Sequence, residues 1–369
     1  MRVVLSAHLD RAHASVPRCA PRILSPRLTL RSRVRRSGVE WVGRWHGSPL
    51  PHLHDLPFCR VLHRVGRASR GAGEQHDRGP VGVTGPDANW HRTPAGWGIA
   101  LLLAFTITAL AGYGIFGLNP ERIPPSLIGF WRISYAFFAQ LHIIIGAVVL
   151  GIALVRWGGL RWVPAFLTVY LISFLSEFFG TGYGIPFGLY EYTSLLGYKI
   201  ADRVPWVIPL SWFLMAVPAW ILARETFPGA LRWFPRIVFA AVLLTLWDLA
   251  LDPAMSFQAP YYWIWTDTGP YFKMPWVNLA GWLGTGVLLM AAMELLGIRS
   301  WTRTIPPSYA LAYYGVTLLM PVGMIVLEGL WLAVLVTFLS YLAAWGLHRA
   351  VARGTPGAPS TDRIAGEPA

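Results

Sequence analysis

Two aspartates four residues apart, Asp248 and Asp252, close an apolar run in the sequence WDLALDP, residues 247–253. On a helix that spacing places both carboxyls on one face. Pro253 is expected to close the helix. Both acids then sit near a C-terminus, where the partial negative charge disfavours ionisation. Burial acts in the same sense. A third acid, Glu177, stands in SEFFGTGYGIPFGLYEY, residues 176–192, at the end of another apolar run. A carboxyl kept protonated in an apolar pocket is what a general acid requires. An ionisable group at membrane depth is costly and marks a functional site by default. The plainer reading is that these acids only pair with Lys199, Arg203 or Lys273 in neighbouring loops.

Gly180, Gly182, Gly184 and Gly188, with Pro186, predict a tight non-helical segment between these acids. Such backbone at membrane depth is tolerated only where it is buried in protein or lines a cavity. Tyr183, Phe187, Tyr190 and Tyr192 would line it. Tyr261, Tyr262, Trp263, Trp265 and Tyr271 supply rings from a second loop. Interfacial anchoring accounts for most such rings by itself. As a group they also suit an apolar polyene or a developing carbocation, since a desolvated ring face attracts a cation by ~2 kcal/mol.

The elements that must hold these residues are apolar helices. With 54% hydrophobic residues, 13% charged residues and 19 Trp, the chain departs from soluble-domain composition. A span needs about 20 mainly apolar residues. Eight are predicted, at 96–117, 134–155, 162–180, 205–223, 235–252, 276–296, 308–326 and 329–348, the last two split by Glu328-Gly329. The fold class is therefore all-α, a polytopic membrane helical bundle. With the N-terminus inside, the inner loops carry nine Arg and the outer loops five Lys or Arg. That places both termini in the cytoplasm and the protein in the cell membrane. Glu177, Glu191, Asp248, Asp252 and Asp267 then all fall at the outer end, which argues that loops 181–204 and 253–275 cover one site.

Residues 1–92 differ in kind. They hold 16 Arg, no Lys and six acids, so +10 of the chain's +13 lies there, with eight of its ten His and both Cys. Interspersed Pro and Gly give no nucleic-acid reading module, and there is no amphipathic targeting pattern or secretory signal. The segment reads as a disordered leader or as a start assigned too far upstream, with a true start near Val81 or Val83. Residues 93–350 form the transmembrane catalytic domain, and 351–369 a disordered tail. The membrane part lacks Cys, which excludes thiol catalysis there.

The ordered series SEFFGTGYGIPFGLYEY, Lys199, VPWVIPLSW, WDLALDPAM and a Trp/Tyr-rich loop before NLAGW resembles the CruF-type carotenoid hydratases. These include the bisanhydrobacterioruberin hydratases and the 1′,2′-hydratases of monocyclic carotenes. The resemblance covers about residues 95–348, and its specific part is 176–282. It implies addition of water across the terminal double bond of an acyclic carotenoid end, giving a tertiary alcohol. The expected partner is a carotenoid within the bilayer, with other carotenoid biosynthesis enzymes as neighbours.

Chemistry then assigns the roles. Hydrating a trisubstituted alkene needs a proton donor and then water at the tertiary cation, with no redox cofactor and no metal. Asp248, a turn deeper than Asp252, is the expected donor. Glu177 would orient or deprotonate the water. Asp252 and Glu191 would hold the hydrogen-bond network. Trp247, Tyr183 and Trp282 would face the cation, Asn278 would donate to a carboxylate or the water, and Phe187, Tyr190 and Trp265 would contact the substrate.

Two other classes compete. Membrane prenyltransferases hold Mg²⁺ and a diphosphate with DxxxD, and hard oxygen ligands suit that metal, but they use two acid-rich segments and this chain has one. A proton-coupled carrier places its acids near the midplane, whereas these cluster toward one face. A retinal-type photoreceptor fails because Lys199 and Lys273, the only lysines, lie outside the spans. His142 is left unassigned.

Overall fold

The computed structural model describes residues 86–353. The expected leader up to residue 85 and the tail from residue 354 lie outside the described residues. Pro86–Arg92, counted with the leader from sequence, form a 3-10 helix whose Trp90 indole donates to Ser308 Oγ at 2.9 Å.

Eight described helices are long and apolar enough to cross a membrane. They are α1 (Pro94–Gly112), α2 (Ile128–Gly158), α3 (Val163–Tyr183), α4 (Val207–Thr226), α5 (Trp233–Asp252), α6 (Trp276–Leu295), α7 (Pro307–Leu327) and α8 (Trp331–Arg353). Each coincides with one predicted span, and the chain is an all-α polytopic membrane protein. The reason is general: in lipid every backbone N–H and C=O must be bonded within its own segment. Helices α4 and α5 are the most buried and α8 the least. The hairpin between α7 and α8 turns at Gly329, whose φ of 71° is left-handed.

One local expectation is corrected and another is refined. The non-helical segment does not begin at Gly180: α3 runs on to Tyr183 and breaks at Gly184, which has a φ of 72°. Gly180 serves packing instead, since a Cβ there would lie 2.9 Å from the Phe187 ring. The α-helix of α5 does close where expected, at Asp252 with Pro253 as its C-cap, but the chain keeps winding. Pro253–Phe257 continue α5 as one π-helical turn, a feature frequent at functional sites.

The connections after α3 and α5 form a lid over one end of the bundle, here called the cap end. Strand β1 (Tyr190–Tyr192) is followed by a hairpin of β2 (Lys199–Ile200) and β3 (Val204–Pro205). Strand β4 (Trp263–Trp265) pairs antiparallel with β1, Tyr190 opposite Trp265 and Tyr192 opposite Trp263. Thr193 N donates to Tyr262 O at 2.9 Å and Tyr262 N to Met255 O at 2.8 Å. The two loops expected to cover one site are thus joined by backbone bonds.

Candidate active site

Side chains alternate across a strand, so Tyr190 and Tyr192 of β1 point into the bundle and Glu191 points out. Opposite them, Trp263 and Trp265 of β4 are buried while Ile264 is exposed. Beneath this small sheet lies a cavity of about 260 Å³. Its walls include Glu177, Asp248, Asp252 and Asn278, all buried.

Two carboxyl centres face this space. In the first, Asn278 Nδ2, in the opening turn of α6, donates to Asp248 Oδ2 at 2.7 Å and to Asp252 Oδ2 at 3.3 Å. Asp252 Oδ1 accepts from Ser256 Oγ at 2.6 Å and from Trp265 Nε1 at 2.9 Å. The π turn supplies Ser256, and β4 supplies Trp265. Among the described residues, Asp248 Oδ1 has no hydrogen-bond partner, nor has the indole N–H of the preceding Trp247.

In the second centre, Glu177 of α3 is held by three donors. Tyr190 and Tyr192 donate their phenols to Oε2, the latter at 2.8 Å, and Trp212 Nε1 of α4 donates to Oε1 at 2.9 Å. Burial, and then the adjacent Glu177 carboxyl, push both phenols well above their ordinary range, so they stay O–H donors. Lys199 Nζ donates to Tyr192 O and pins the strand. Rings close the walls: Trp212 stacks on Trp282 with centroids 4.2 Å apart, and Tyr190 meets Trp265 at 4.9 Å.

Asp248, Asp252, Glu177, Asn278, Phe187, Tyr190, Trp247, Trp265 and Trp282, all singled out from sequence, line this one cavity. Two others do not. Tyr183 is 69% exposed on the outer side of α3, against Phe179. Glu191 is exposed because the β1 alternation that turns both tyrosines inward turns it outward. The salt-bridge alternative also fails: none of the ion pairs among the described residues involves Glu177, Asp248 or Asp252. Sequence reasoning missed Trp212 and Ser256. Ser256 stands four residues after Asp252, a spacing that signals contact along one helical face, while Trp212 had no local signal. His142, unassigned from sequence, also lines the cavity, with Nε2 3.1 Å from Thr106 Oγ1.

Comparison with known proteins bears on this arrangement. The family described as carotenoid biosynthesis protein matches residues 138–344, more than half of the chain. The chain belongs to this family. The bisanhydrobacterioruberin hydratase of Haloarcula japonica is 27% identical over 180 residues, covering 45% of this chain and 60% of that relative. The chain thus spans less than two thirds of the length of this curated relative. No solved structure matches the chain. Every carboxyl of the two centres lies inside the region shared with the carotenoid biosynthesis family, and α1 lies outside it.

Proposed function

We propose that this protein hydrates the terminal double bond of an acyclic carotenoid end group. The observation that carries the reading is Asp248 Oδ1, a buried carboxyl oxygen on the wall of an aromatic cavity that has no partner among the described residues. Every other carboxylate oxygen of the two centres accepts a hydrogen bond. A group that transfers a proton needs one free face toward the reacting atom.

In this reading Asp248 delivers its proton to the CH carbon of the (CH₃)₂C=CH end, and the positive charge develops on the dimethyl carbon. The stacked Trp212 and Trp282 and the Trp247 ring stabilise that charge by their faces. Glu177, fixed by its three donors, supplies the compensating negative charge and orients the attacking water. Water adds to the tertiary cation and its extra proton returns to a carboxylate. The balance is alkene plus water giving a tertiary alcohol, with no electron transferred. Asn278 holds Asp248 and Asp252 in register, and Ser256 and Trp265 fix Asp252. The prenyltransferase reading fits these contacts less well, because Asp252 is surrounded by O–H and N–H donors that point their protons where a cation would sit. Carotenoid biosynthesis enzymes that precede or follow this step are the proposed neighbours, in the same membrane.

Expression in a host that accumulates acyclic carotenes, in H₂¹⁸O under air, tests the reaction. Oxygen from water in the new alcohol, with one deuteron retained beside it in D₂O, is expected. Oxygen from O₂ overturns the hydratase reading. The proposed topology, with the cap end outward and both termini in the cytoplasm, is checked separately. In intact cells a membrane-impermeant thiol reagent should label Thr268→Cys and not Arg232→Cys.

A further inference from the structure

The cavity does not end at the acids. It continues between α1 and α2 to residues facing the surroundings of the bundle: Phe116, Leu127 and Phe130 line it and are 38%, 48% and 48% exposed. On α2 the lining positions include Trp131, Ser134, Tyr135, Phe138, Ala139 and His142, a helical stripe running from this mouth toward the interior. The mouth has a polar frame around an apolar throat. Tyr135 OH donates to Gly117 O at 3.0 Å, Tyr113 OH to Glu328 Oε1 at 2.5 Å and Tyr262 OH to Tyr135 O at 3.2 Å. These bonds tie α1, α2, the α7–α8 turn and the lid together around the opening. The wall of α1 there is a π-helical turn, Tyr113–Gly117.

We infer that this opening is a lateral portal through which a linear polyene is threaded end-first from the bilayer, its chain remaining in the throat while its tip reacts. The inference rests on the proposed hydration of a polyene end, and three observations support it. A cavity of about 260 Å³ encloses an end group and not a chain comparable to the ~30 Å hydrocarbon thickness. The chain must therefore leave by an apolar opening. The mouth is rimmed by exposed aromatic and aliphatic side chains, Phe116, Leu127 and Phe130, that fall within the apolar segments long enough to span a membrane. Finally, the acids are buried while the mouth residues are exposed, so a chain entering end-first brings its terminal double bond toward them. Hydrating two ends of one polyene then takes two separate binding events.

The test separates the portal from the chemistry. Cys19 and Cys59 are replaced by Ser, and Ser134→Cys is made in an Asp248→Asn background expressed with an acyclic carotene. The membrane-inserted, purified protein is expected to retain pigment. Labelling with a bulky thiol reagent after folding should release most of that pigment, at least about tenfold more than the same labelling of Ile133→Cys, which lies on α2 away from the cavity. Preloaded carotene should slow the labelling of Ser134→Cys and not that of Ile133→Cys. Equal pigment retention after labelling at both positions overturns the portal. Pigment release confined to Ser134→Cys, while the wild-type protein with Asp248 intact makes no hydroxylated product, keeps the portal and sinks the hydratase reading.

Discussion

The bundle buries ionisable groups at both of its ends, and the two clusters are built differently. At the cap end, Glu177, Asp248 and Asp252 have no cationic partner among the described residues and face a cavity. At the opposite end, Arg236 of α5 is as deeply buried, yet each of its guanidinium nitrogens donates a hydrogen bond. It donates to Phe227 O and Gly229 O at 2.9 and 2.6 Å, meets Glu294 at 3.4 Å and lies 5.5 Å from the Trp220 ring centroid. Glu294 in turn meets Arg299 at 2.6 Å. A buried charge is strong evidence of function only until its partners are counted. The Arg236 cluster closes the α4–α5 connection. The acids are held by neutral donors and, among the described residues, leave one oxygen without a partner, as the proposed proton transfer requires.

This contrast predicts a double dissociation. Asp248→Asn should insert and fold normally and lose ~10²–10⁴-fold in turnover, the scale of general acid catalysis, measured as hydroxylated product per inserted protein. Arg236→Met should do the reverse. Its turnover per folded molecule should stay near that of the parent, while detergent-solubilised stability falls by ~3–5 kcal/mol, because Glu294 and two carbonyls lose their partner. If Arg236→Met instead abolishes turnover in stable protein, the distinction between the clusters is wrong.

Within the cap end the expected effects are graded. Tyr192→Phe removes one of the three donors to Glu177, and a hydrogen bond to a charged group is worth about 1.5–3 kcal/mol, so turnover should fall at least about tenfold. Asp252→Asn is expected to cost less than Asp248→Asn, since Asp252 carries no free oxygen; an equal loss would move the proton donor to the pair as a unit. The smallest effects belong to the two exposed residues. Glu191→Gln and Tyr183→Phe should each change stability by no more than ~0.5 kcal/mol and leave the product yield unchanged. A large loss in Glu191→Gln would contradict the outward facing of Glu191 on β1, and one in Tyr183→Phe the outward facing of Tyr183 at the end of α3.

Much of this was legible in the residues alone, for a physical reason. A span is a local property: twenty apolar residues must form a helix in lipid whatever surrounds them, and eight such runs are written plainly. The Asp248–Asp252 face is likewise local, because four residues are about one helical turn. The gathering of acids at one end follows from counting spans. What the residues left open was which way each aromatic faces. SEFFGTGYGIPFGLYEY holds four aromatics and an acid after Gly182, and their spacing does not say where helix gives way to strand. Pairing of β1 with β4, more than 70 residues away, settled that Tyr190 and Tyr192 point inward and Glu191 outward. The continuation of α3 to Tyr183 carried that ring to the outside. Trp212 joined Glu177 only because α4 packs beside α3. Sequence determined the elements and the relative facing of residues within each turn. Only the tertiary structure decided the absolute facing, because that depends on which distant segment covers which side.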